Sequence, residues 1–268
     1  MLSAAQHEAV TSEAARPLQI LAGPGSGKTR VLTSRVAHLV RDSAAPIAPE
    51  RCVVVTFTNR AANEMRARLE TMIGADRTRR LVLGTFHAVC VRFLRRWGTR
   101  LGLDPRFTIA DTDDARRLLR DVDRDAPVDA TLAAISRAKA HGWTPDELRA
   151  SAQHAPGSPA HTEHLALCRT YAAYQQQLRT SHALDFDDLL LLGVRLFREH
   201  PELTTHIDHV LVDEFQDTNA VQYELLRRLS RHVSVVGDPD QSIYSWRHAD
   251  MRHIERMHLD FPGLHRVL

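Results

Sequence analysis

Lysine is nearly missing from this chain. Of its 35 basic residues only Lys28 and Lys139 are lysines, and the rest are arginines. Cysteine is scarce too: Cys52, Cys90 and Cys168 are odd in number and lack paired spacing, which excludes a disulfide framework and gives no zinc signature. A reducing cytoplasm fits that usage. His161, His164 and Cys168 share one predicted helix face, but no second pair of ligands lies near them in a chain with 16 histidines, so no metal is expected there. Long apolar runs are also absent. The longest aliphatic stretch, Leu189 to Leu192, falls far short of the roughly 20 residues that span a bilayer, and no charged-then-apolar leader opens the chain. The expectation is a soluble, cytoplasmic protein with no membrane partner.

Charge of one sign is lacking as well. A net charge of +2 is too small to imply a nucleic-acid partner from the total, so such contacts must come from local patches. One candidate patch runs from Arg77 to Arg100, with seven arginines and no acid, although a solvated helix face accounts for it equally well. The 268 residues are 43% apolar, enough for real cores in one or two domains.

Ala22-Gly23-Pro24-Gly25-Ser26-Gly27-Lys28-Thr29 follows the apolar run Leu18 to Leu21 and precedes a helical Arg30 to Val36. This is strand, phosphate loop, helix. The glycines let successive N–H groups curl toward a phosphate, the helix N-terminus adds its positive end, Lys28 reaches the outer phosphates and the Thr29 hydroxyl ligates Mg²⁺. Lys28 suits a demand for a compact ammonium. A second apolar strand, Val210 to Val212, ends in Asp213 and Glu214. Asp213 is placed to hold Mg²⁺ through water, and Glu214 to orient and deprotonate an attacking water. A third strand, Val233 to Gly237, leads to Gln241, whose amide is positioned to sense a terminal phosphate, while near the start Gln6 offers an amide able to donate to and accept from an adenine edge.

Short β-branched runs alternate with amphipathic stretches: Leu18–Leu21 then a helix to about Arg41, Cys52–Thr56 then Ala61–Ile73, Leu81–Gly84 then a helix to about Arg100. That is βαβ grammar and predicts an α/β fold with a parallel sheet. From about Asp111 to Ala183 the character changes to polar and helical (113–124, 129–141, 162–179) with no strand-like run, which predicts an inserted helical subdomain. Strands resume at His209–Asp213 and Val233–Gly237, so the sheet domain comprises 1–110 and 184–268 around an insertion at 111–183. Aromatic residues fall at the C-terminal ends of strands, where ligands gather: Phe57, Phe86 beside His87, and Tyr244 with Trp246. Core packing is the alternative for each. Stacking of bases on such side chains is worth about 1 to 3 kcal/mol each, whatever the base.

Seven blocks resemble one family in order: Gln6; Ala22 to Thr29; Val55 to Met65; Gly84 to Ala88; Leu184 to Leu189; Val212 to Asn219; and Val236 to Arg247. The chain resembles the N-terminal half of a UvrD/Rep/PcrA-type superfamily 1 DNA helicase. The resemblance implies a RecA-like P-loop domain with a helical insertion, and ATP-driven 3′ to 5′ movement on single-stranded DNA and at single-strand/duplex junctions. It further implies that Lys28 and Thr29 handle phosphate and Mg²⁺, that Asp213 serves the metal and Glu214 the water, and that Gln241 contacts the γ-phosphate. Gln6 and Arg30 would bind adenine, and Phe57, Asn59, His87, Phe186, Tyr244 and Trp246 would line the DNA groove. Two local departures are Ala22, in place of the first glycine, and Arg60, where the family usually has lysine. The chain also stops where the family begins a second RecA-like domain that supplies arginine fingers, worth about 10³ to 10⁵ in rate. A fragment with weak ATP binding, slow hydrolysis and no unwinding is therefore expected. Two alternatives stay open: the helicase part of a RecB/AddA-type helicase-nuclease, and a non-enzymatic DNA-binding module.

Overall fold

In the computed structural model, which describes residues 2–152, 155–230, 232–238 and 252–267, the chain forms two compact units, residues 1–90 with 197–268 and residues 91–196. In chain order the elements are α1 (Ala4–Thr11), β1 (Leu18–Leu21), α2 (Lys28–Ala37), β2 (Cys52–Thr56), α3 (Asn59–Ile73), α4 (Ala75–Arg80), β3 (Val82–Thr85) and α5 (Phe86–Trp97). There follow β4 (Thr108–Ile109), α6 (Thr112–Val122), α7 (Val128–Ala140), α8 (Pro145–Ala150), α9 (Pro159–Thr180), β5 (Ala183–Leu184) and α10 (Phe186–Glu199). The last are β6 (His209–Val212), α11 (Ala220–Leu229), β7 (Val233–Gly237), α12 (Arg252–Asp260) and β8 (His265–Val267).

The first unit holds a six-stranded sheet in the order β3-β2-β6-β7-β1-β8, with every adjacent pair parallel. Its central strands are largely apolar or β-branched because both faces are covered: all residues of β2, β6 and β7 are buried, and the polar His209 and Ser234 among them hydrogen-bond each other at 2.8 Å. Leu18, Ile20, Leu32, Val36, Val54, Met65, Leu69 and Leu211 belong to its core. The α/β expectation holds. A sixth strand, β8, was not anticipated; it pairs with β1 from Leu18↔His265 to Ile20↔Val267. The fully buried Gln19 secures that edge, donating to the Ile254 carbonyl at 3.0 Å and accepting from Arg266 Nε at 2.6 Å.

Buried Arg35 ties the N-terminal helix to the same unit. Its guanidinium donates to the carbonyls of Ala9 (3.1 Å), Val10 (3.2 Å) and Ser12 (2.9 Å) at the end of α1, and to Ser234 Oγ on β7 (2.7 Å). The last carbonyls of a helix have no intrahelical donors, and a cation there also complements the helix dipole.

The second unit is built from α6, α7, α8 and α9 around Leu119, Ile135, Leu148, Tyr171, Tyr174 and Leu178. It also contains strand pairing that the absence of a strand-like run did not predict: β4 and β5, two residues each, pair in parallel through Thr108↔Ala183 and Ile109↔Leu184. Lys139 is buried within this unit. Its ammonium meets Asp185 Oδ2 at 2.6 Å and Asp188 Oδ1 at 2.8 Å, and Gln175 Nε2 donates to the same Asp188 oxygen at 2.8 Å. Burial alone opposes the charged amine, but Asp188 and Asp185 outweigh it and hold the Lys139 pKa above its usual value.

Candidate functional site

The phosphate loop leaves β1 at Ala22, whose N–H donates to the Gly237 carbonyl at 3.1 Å, so the tips of β1 and β7 are joined before the loop begins. Gly25 and Gly27 adopt φ of +71° and +82°, the left-handed region that glycine enters without strain. Gly27 caps α2 without any side-chain hydrogen bond, so the first-turn N–H groups of that helix face the loop. A β-carbon at position 23 would touch nothing within 4 Å, so no neighbouring atom of the fold requires glycine there.

Pro24, Gly25 and Gly27 of the loop, Lys28, Thr29 and Arg30 of α2, and Arg68 and Glu214 line a cavity of about 410 Å³. Lys28 Nζ donates to the Ala22 carbonyl at 3.3 Å and to Asp238 Oδ2 at 3.2 Å. Thr29 hydrogen-bonds the Asp213 side chain, and Asp213 N–H is fixed by the Val55 carbonyl at 3.0 Å. The phosphate loop and the acidic tip of β6, 185 residues apart in numbering (213 minus 28), therefore converge. Burial, then the adjacent Glu214, push the Asp213 carboxyl up to about 6, with Lys28 and Thr29 pulling the other way. A buried carboxylate beside a hydroxyl is a hard oxygen donor set that suits Mg²⁺, and a cation would remove the penalty of its burial.

Glu214 has φ +49° and ψ +45°, a left-handed backbone in a residue with a full side chain. Its Oε2 accepts from Gln216 Nε2 at 2.8 Å. Gln6 completes a capping box with Ser3, accepting from Ser3 N–H at 2.9 Å, and its Nε2 donates to the Ser26 carbonyl at 2.8 Å. Each end of that amide retains one further hydrogen-bonding position for a base edge. Arg30 lies exposed on α2 at the cavity wall.

Of the residues assigned to DNA, Phe57, Asn59 and His87 stand beyond the C-terminal ends of the adjacent strands β2 and β3. Phe57 is half-buried and packs edge-on against Phe86 at 5.6 Å; Asn59 is exposed and His87 half-buried. Phe186, in the second unit, is 50% exposed. Gln241, Tyr244 and Trp246 lie outside the described residues. Sequence reasoning missed three participants: Arg68, Gln216 and Asp238. Gln216 and Asp238 sat inside the matched blocks without a role, and Arg68 carried no signal beyond lying on the helix after β2.

The family model for the UvrD/REP helicase N-terminal domain matches residues 2–262. This chain belongs to that family. Among curated relatives of this UvrD/REP domain, the ATP-dependent DNA helicase PcrA of Leuconostoc citreum is 42% identical over 266 residues, covering 94% of this chain and 34% of the relative. The PcrA of Staphylococcus epidermidis is 39% identical over 276 residues (97% and 36%), and that of Staphylococcus aureus 38% over 277 (98% and 36%). The UvrD/REP domain described here thus spans about a third of the length of these relatives. Among the described residues, no helix is long and apolar enough to cross a membrane.

Proposed function

We propose that this chain is the nucleotide-binding module of an ATP-dependent DNA helicase that moves 3′ to 5′ on single-stranded DNA. The observation that carries the reading is the meeting of Lys28, Thr29 and Glu214 at one cavity, with Asp213 hydrogen-bonded to Thr29 behind it. Thr29 and Asp213 hold Mg²⁺, which when bound neutralises charge on the phosphate oxygens. Lys28 exchanges Asp238 for the outer phosphates, and the first-turn N–H groups of α2 bind the remainder. Glu214 orients the attacking water and takes its proton. Gln6 and Arg30 receive adenine, and Gln241 the γ-phosphate. Phe57, Asn59, His87, Phe186, Tyr244 and Trp246 grip the strand by stacking and hydrogen bonding, at single-strand/duplex junctions as well as along the strand. A second RecA-like domain beyond this chain closes the nucleotide site, so the 268 residues alone hydrolyse ATP slowly and separate no duplex.

Phosphate release measured with and without single-stranded DNA tests this. Lys28→Ala is expected to abolish nucleotide binding, and Glu214→Gln to lower turnover by about 10² to 10⁴ with ATP still bound. Phe186→Ala, a change at an exposed position, should weaken DNA binding by about 1 to 3 kcal/mol and leave nucleotide affinity alone. Glu214→Gln turning over at the wild-type rate, or duplex unwinding by the purified chain, would overturn the reading.

A further inference from the structure

Gln216 is buried, 3% exposed, in the turn that follows Glu214. Its Oε1 accepts from the main-chain N–H of Asp238 at 3.0 Å, and its Nε2 donates to Glu214 Oε2 at 2.8 Å. The orientation of this amide is dictated by its partners: a main-chain N–H only donates, so the oxygen must face Asp238 and the NH₂ must face Glu214. The tip of β7 is shaped to receive it. A β-carbon on Gly237 would lie 2.9 Å from Gln216 Oε1 and 3.3 Å from Gln216 N, so this close approach depends on glycine at 237. Gly237 is in no left-handed conformation, which leaves the approach of Gln216 as the reason for the small residue.

A continuous series of contacts results. Lys28 Nζ reaches Asp238 Oδ2 at 3.2 Å, the Asp238 backbone reaches Gln216, and Gln216 reaches the carboxylate of Glu214. Glu214 is held in a backbone conformation that residues other than glycine seldom enter, and such conformations persist only where surrounding contacts over-determine them. Asp217 N–H, donating to the Glu214 carbonyl at 3.0 Å, is one of those contacts, and the Gln216 amide is the one that acts on the side chain.

We propose that Gln216 is a positioning residue that fixes the Glu214 carboxylate at the phosphate cavity and makes its placement follow the tip of β7, where Asp238 meets Lys28. The proposal rests on reading Glu214 as the base. When Lys28 changes partner and Asp238 shifts, one buried amide carries that shift to Glu214, and nothing longer than a single side chain is needed to couple the two.

Three variants of the chain test it, read by phosphate release, by nucleotide binding and by amide hydrogen exchange. Gln216→Met removes both hydrogen bonds. Gln216→Glu keeps an acceptor for Asp238 N–H but turns a second carboxylate toward Glu214, and Gly237→Ala leaves Gln216 intact while displacing its amide. All three are expected to lower kcat roughly 10- to 100-fold with nucleotide Kd held within about twofold. The Asp238 amide should exchange at least about tenfold faster in Gln216→Met and stay protected in Gln216→Glu, as loss of the acceptor requires. A purely structural role would lower stability and nucleotide affinity together, with no loss of kcat beyond the loss of binding, and that result would overturn the proposal. So would an Asp238 amide indifferent to Gln216→Met. A wild-type chain showing no Lys28-dependent phosphate release marks failure of the nucleotide reading itself; a wild type that turns over, with variants that match it, marks failure of the role given to Gln216.

Discussion

Asp213 sits at the tip of β6 with its carboxyl pushed up to about 6, first by burial and second by Glu214. The ordinary aspartate value is 3.8, so between about pH 4 and 6 the folded chain keeps a proton that the unfolded chain has released. The stabilisation is complete below the unfolded value and is lost as pH rises through the folded one. Above pH 6 the folded state carries the whole penalty, about 3 kcal/mol at 1.36 per unit. Asp213→Asn is therefore expected to stabilise the nucleotide-free chain by about 1 to 3 kcal/mol at pH 7.5 and by nothing at pH 4. Urea unfolding at the two pH values checks this; an equal gain at both would mean that burial of the charge is not the cause. Lys28, Thr29, Asp213 and Glu214 were legible in the sequence because each belongs to a local pattern, a glycine-rich turn entering a helix or an apolar run ending in acids. Arg68 and Asp238 were not, since their distances to the site are created by strand order. Lys139 stood out as one of two lysines, but its partners Asp185 and Asp188 are neighbours only in the folded unit.

At the scale of elements, the short, mostly apolar runs at 18–21, 52–56 and 233–237 became strands with the expected bounds, because such runs, too short for a helix, suit a sheet covered on both faces. β8 escaped notice for the opposite reason: His265-Arg266-Val267 is polar at two of three positions and is a strand only because Pro17 and β1 offer hydrogen bonds to it. The helix after the phosphate loop was expected to reach Arg41, whereas α2 ends at Ala37 and His38–Asp42 widens into a π turn. Within α2, Arg35 supports another element altogether. Arg35→Met would leave the carbonyls of Ala9, Val10 and Ser12 without this donor at the end of α1. Each such buried acceptor costs about 1 to 3 kcal/mol unless water reaches it. A loss of about 2 to 5 kcal/mol in denaturant unfolding is expected, with faster amide exchange concentrated in residues 4–11. A variant as stable as wild type would show that α1 is held by its apolar contacts alone.

At the scale of the whole molecule, each of the two units buries apolar residues of its own, and the Lys139 ion cluster lies within residues 91–196. Lys139→Met would strand Asp185 and Asp188 without their cation, a change that costs about 3 to 5 kcal/mol when a buried pair loses one partner. Hydrogen exchange should report that loss in 112–180 while the amides of β6 and β7 keep wild-type protection; equal loosening of both would show that the two units unfold as one. The unusual backbone of Glu214 has a consequence for the fate of the chain under selection. Glycine at 214 relieves the left-handed turn and so favours the fold, yet it deletes the carboxylate from the cavity. Breeding this chain for heat resistance alone would thus tend to produce a sturdier protein that has lost its chemistry.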